Sequence, residues 1–179
     1  MSFDPTKPVD ASLVSAPELR SQFTALKALI DAQALSTARL GSDWTSSSSS
    51  FSDVSGLSFA VASGENWIAE IVLHVISSPS GQGFKFRVNG PGAGSVMISI
   101  QGTGASGSST FECEVQTAFS VASPAKTFCT GATLTGVIRI HIVITNATAG
   151  TVQLQANNSG GTNTVTIKAN SDLVARKTT

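Results

Sequence analysis

Side chains able to do chemistry are few in this chain, and none converge on a recognisable motif. His74 and His141 are the only imidazoles, and each lies inside a strongly apolar run rather than at the end of one. A histidine in that setting reads as a packed or interface residue, because a general base needs a partner to orient it and an opening to substrate. Glu112 and Glu114 stand two apart and so share one face of a strand, a spacing formally like the paired carboxylates of glycoside hydrolysis. Two same-face glutamates are more ordinarily a solvated sheet surface, and neither is assigned a catalytic role. Cys113 and Cys129, with two distant histidines, match no zinc spacing, so no metal and no cofactor are expected. In a reducing compartment both thiols are expected free and buried, and a disulfide between them stays open. Gly102, Gly104 and Gly107 lack a following helix and a Lys-Ser/Thr pair, so they read as a turn and not a phosphate cradle.

The elements that must position these residues follow from periodicity. Residues 1–14 contain Pro5 and Pro8 without a clear period, which predicts an extended arm. At Ser15-Ala16-Pro17-Glu18 a hydroxyl precedes a carboxylate by three positions, the pattern that caps a first helical turn, and Pro17 is tolerated there. Leu19, Phe23, Leu26 and Ile30 then recur at spacings of four, three and four, one stripe of a helix running to about Gln33. Two partners suit that stripe: the chain's own body, or copies of the same helix in a short coiled coil. With fewer than three heptads, helical association needs help from the rest of the protein.

From Ser36 the period changes to two. After the polyserine stretch Ser46 to Ser50, alternate positions are apolar at Leu57, Phe59 and Val61, and at Trp67, Ala69, Ile71, Leu73 and Val75. The pattern returns at Phe84, Phe86 and Val88, at Val96, Ile98 and Ile100, and at Phe111, Cys113 and Val115 with the two glutamates opposite. A long strand is expected over Val137 to Thr145, with Ile138, Ile140, Ile142 and Ile144 on one face, and shorter ones at Val152 and Leu154 and at Val165 and Ile167. About eight to ten short strands separated by turn residues predict a mainly β chain, a jelly-roll-like two-sheet sandwich over residues 36–179 behind an arm and helix over 1–35.

Charge bounds the partners. The 11 basic and 11 acidic residues cancel, and only 12% of the chain is charged, which leaves no footprint for nucleic acid. No apolar run is long enough for a membrane helix, and the N-terminus lacks a secretory signal, so folding in the cytoplasm is expected.

Two segments resemble a known group. Asp4-Pro5-Thr6-Lys7-Pro8-Val9-Asp10, with Glu18 through Asp31, resembles an N-terminal leader of bacteriophage tail and virion proteins. Gly56 to Gly64, Gly83 to Pro91 and Ala149 to Ala156 resemble a β-rich module of phage fibre-like proteins, although Trp67 stands where that module often has tyrosine. The resemblance implies a non-enzymatic, trimeric or otherwise symmetric virion component whose leader anchors it to tail, baseplate or capsid proteins. As a tail-fibre subunit it would meet host-surface glycans through several weak copies; as a capsid decoration protein it would cement the head.

Overall fold

The computed structural model describes residues 15–32, 35–77, 83–103, 111–120, 127–128, 135–160 and 164–178. The expected N-terminal arm and Cys129 lie outside the described residues. The chain divides into two units, Met1–Ala34 and Leu35–Thr179.

In the first unit the described element is helix α1, Ala16–Ala32. It starts where the cap was expected: the Ser15 hydroxyl accepts from the Glu18 amide at 3.3 Å, and the Ser15 carbonyl accepts from Leu19 at 3.0 Å. The first bond satisfies one of the amides that a first turn leaves without an intrahelical partner, and the second is the first bond of the helix's own ladder.

The second unit is a two-sheet β-sandwich, and every strand pairing in it is antiparallel. Its strands are β1 (Leu35–Arg39), β2 (Trp44–Ser46), β3 (Ser52–Val61), β4 (Trp67–Ile76), β5 (Phe84–Asn89), β6 (Ala93–Thr103), β7 (Phe111–Gln116), β8 (Thr135–Ala147), β9 (Gly150–Asn158), β10 (Val165–Ile167) and β11 (Asp172–Lys177). The large sheet runs β1-β11-β4-β8-β6-β7, with β10 joining β4 to β2, and the small sheet runs β3-β9-β5. This division is eight strands against three; a jelly roll, eight strands in two Greek keys, is a more specific pattern than the order displays.

The core follows from the period-two runs. Ile71, Leu73, Ile98, Ile138, Ile140 and Ile142 on the large sheet are fully buried, and so are Leu57, Phe84, Phe86 and Val88 on the small one. Burying each such side chain contributes about 1.5–3 kcal/mol. Phe59 and Trp67 meet with ring centroids 5.5 Å apart, one aromatic contact linking the two sheets. Phe128, outside every strand, is also fully buried: it bridges Phe84 and lies 6.1 Å from Phe86, ring to ring.

One strand is turned over relative to the sequence reading. In β7 the alternation holds, yet Cys113 and Val115 are exposed while Glu114 is half-buried and Gln116 buried. The cause is register: Glu114 and Gln116 pair with Ile100 and Ile98, whose side chains point into the sandwich, and cross-strand partners share a face. The expectation that Cys113 is a buried thiol is therefore corrected, as is that of a solvated face for Glu114.

Candidate functional site

The four residues of the expected stripe all lie on α1. Leu19, Phe23, Leu26 and Ile30 are between 39% and 64% exposed, and Leu29 beside them is exposed too. Their four-three-four spacing is that of alternating d and a positions in a heptad, so the stripe forms a seam suited to another helix or apolar surface. Ala25, off the seam, is buried. No side chain of the seam can transfer a proton or hold an ion; all four are apolar.

The titratable candidates are dispersed. His74 and His141 are both exposed, which corrects a packed role within a single chain. They project from the outer face of the large sheet, where His141 pairs with Glu70 on one side and Ser99 on the other. Glu114 accepts from the Gln116 side-chain amide at 3.0 Å, and the side chain of Glu112 lies outside the described residues. Gly102 is a residue of β6: a Cβ there would meet Ile138 Cδ1 at 2.2 Å, so packing explains the glycine. Gly104 and Gly107 lie outside the described residues. Among the described residues no cluster of three His, Cys, Asp or Glu could hold a metal, and no helix is long and apolar enough to cross a membrane.

Two carboxylates are tuned by turn-fastening contacts. Glu65 sits below its ordinary value chiefly because it accepts from the Ala62 amide at 2.7 Å, with Trp67 Nε1 at 2.9 Å and the Lys177 ammonium at 3.0 Å adding to the effect. Asp43 is lowered chiefly by Lys168, then by the Ala169 amide at 2.8 Å. The Glu65 bonds tie the β3–β4 turn to β11, and the Asp43 bonds tie the β1–β2 connection to the β10–β11 turn, both structural tasks.

One end of the sandwich carries a hollow of about 350 Å³ between the β5–β6 turn, Gly90 to Gly94, and the segment Thr117 to Ser120. Its wall is built: Ser120 adopts φ 59° and is held there by its amide on the Val88 carbonyl at 2.9 Å and its hydroxyl on Asn89 at 2.6 Å. Phe119 lies against Gly90, where a Cβ would approach the ring to 2.8 Å. The lining combines glycine backbone, the hydroxyls of Ser95, Thr117 and Ser120 and the apolar side chains of Pro91, Val96 and Phe119, without charge. Sequence reasoning missed this hollow, since contacts between distant turns leave no local period.

No protein-family model matches the chain, and no curated protein matches it significantly. The fold defines a class: a β-sandwich preceded by a unit whose described element is a helix with an exposed apolar stripe.

Proposed function

We propose that this protein is a non-enzymatic structural subunit of a bacteriophage particle, a trimeric tail-fibre or fibre-like component attached through its N-terminal arm and helix. The observation that carries the reading is the open seam of Leu19, Phe23, Leu26 and Ile30, an apolar surface that a chain working alone would not leave uncovered. The leader-like residues before and within that helix support an anchoring role for the same unit. The sandwich is then the displayed part. Its uncharged end hollow suits weak contact with neutral host-surface glycans, and several copies per particle supply avidity.

A capsid decoration protein is the second reading, favoured by the broad, half-apolar outer face of the large sheet, which suits a body lying flat on other subunits. Cryo-electron microscopy of particles carrying a C-terminally tagged copy separates the two. Tag density at the tail tip or baseplate is the expected result. Density over the head would transfer the protein to the decoration class, and particles with no density would remove the virion assignment.

A further inference from the structure

We infer that the outer face of the large sheet is a contact surface between copies of this chain. Outside helix α1, the large apolar side chains exposed among the described residues are Leu35, Met97, Val115, Val137 and Val174, between 42% and 63% exposed. All five belong to one face. The register shows it: Val174 pairs with Glu70, Glu70 with His141, His141 with Ser99 and Ser99 with Val115, one continuous row across five strands. Met97 and Leu35 lie in the next row on one side, through Val143, Ile68 and Arg176, and Val137 lies two rows to the other side, beyond the row of Gln101, Arg139, Val72 and Asp172.

Strand β7 gives the second observation. Its apolar residues Cys113 and Val115 point outward, while Gln116 is 3% exposed inside with its Oε1 buried and unpaired. A strand at the rim of a monomer gains most by the opposite orientation, because apolar area is worth about 25 cal/mol per Å² when covered. The observed orientation is favourable where the outer face is covered in the assembly.

Area and charge choose the occupant. Six strands about 4.8 Å apart, paired over as many as ten residues of about 3.3 Å, give a face on the order of 600–800 Å². That approaches the roughly 800 Å² each partner contributes to a standard interface. The face carries both signs, Glu70 and Asp172 with Arg39, Arg139 and Arg176, and Arg139 lies 3.8 Å from Glu70. A partner of one sign, such as nucleic acid or anionic lipid, meets repulsion there. A second copy brings the same mixed set and can pair it. The inference concerns the isolated protein and does not rest on the virion reading.

The test is sedimentation velocity of the full chain from about 1 to 100 µM, with two double variants: Val115→Glu with Val137→Glu on the sheet, and Leu19→Glu with Phe23→Glu on the helix. The expected results are a wild-type mass that is a multiple of 18.3 kDa, association weakened at least about a hundredfold in the sheet variant, and association retained in the helix variant. As a readout free of substitution, alkylation of Cys113 in the wild type should slow across the association range. A wild type of single-chain mass throughout, a folded sheet variant of wild-type mass, or Cys113 labelling independent of concentration would each overturn the inference and leave the face to another occupant, such as a head or tail protein.

Discussion

The side-chain amide of Gln153 donates to the carbonyl of Val54 at 3.0 Å, reaching from β9 into an irregular stretch of β3. The same nitrogen lies 3.2 Å from the Leu57 carbonyl. Pairing passes from Asp53–Gln155 to Ser58–Gln153, five steps along β3 against two along β9, so the four residues Val54 to Leu57 face the single residue Leu154 and have no ladder partner. Gly56 takes φ +92° inside this bulge. Gln153 supplies what the missing ladder does not.

Replacing Gln153 by Met keeps its length and removes the donor. Val54 is fully buried, so its carbonyl would lose a partner with little access to water. Gln153→Met should destabilise the fold by about 1–3 kcal/mol, measured by urea denaturation. An unchanged midpoint would show that the bulge satisfies itself.

Gly102 and Ile138 make a second testable pair. With Cδ1 of Ile138 2.2 Å from the position a Cβ would take, and the Val137 carbonyl at 3.3 Å, Gly102→Ala forces the isoleucine out of its buried rotamer. The expected cost is about 1–3 kcal/mol. Ile138→Val removes the clashing methyl, so the double variant should be more stable than the sum of the single effects allows, by about 0.5–2 kcal/mol in a double-mutant cycle. Strict additivity would contradict this account.

These two sites show where a sequence pattern stops. Trp67, Ala69, Ile71, Leu73 and Val75 announce their strand because one face of β4 is buried along its length, and a period of two is then the direct record of burial. β1 and β2 leave no such record: Leu35–Arg39 and Trp44–Ser46 are edge elements of five and three residues, too short and too mixed for a period, held by pairing with β11 and β10. The polyserine stretch carries no period at all, yet the Ser48 carbonyl accepts from the Asn158 amide at 2.9 Å and the Ser49 carbonyl from the Asn157 side chain at 2.6 Å. In β7 the alternation named two faces, and only its register with β6 decides which is inside. The helical seam was legible as spacing; its exposure depends on surroundings that spacing does not encode.

Glu65 predicts a pH dependence. Its folded-state value lies below the ordinary 4.5, held down first by the Ala62 amide and then by Trp67 and Lys177. The carboxylate form is therefore favoured by folding, and its contribution is fully present above about pH 4.5 and lost as pH falls through the lower folded-state value. Glu65→Gln abolishes the charge but keeps the shape. The gap in melting temperature between wild type and Glu65→Gln should be constant from about pH 6 to 7 and close below about pH 4. A gap that persists in acid would assign the effect to packing.

The proposed anchor makes the last prediction. Replacing Leu19, Phe23, Leu26 and Ile30 together by Gln removes the seam while keeping good helix formers, and these side chains are already exposed. The sandwich core of Ile71, Leu73, Ile140 and Phe86 lies wholly within Leu35–Thr179, so its urea midpoint should shift by less than about 0.5 kcal/mol. Attachment to particles should nevertheless be lost, read by pelleting purified particles with labelled protein. Removing residues 1–35 should give the same separation of folding from attachment. If either variant still pellets with particles, the anchor lies on the sandwich, and the outer face of the large sheet becomes the surface to mutate next.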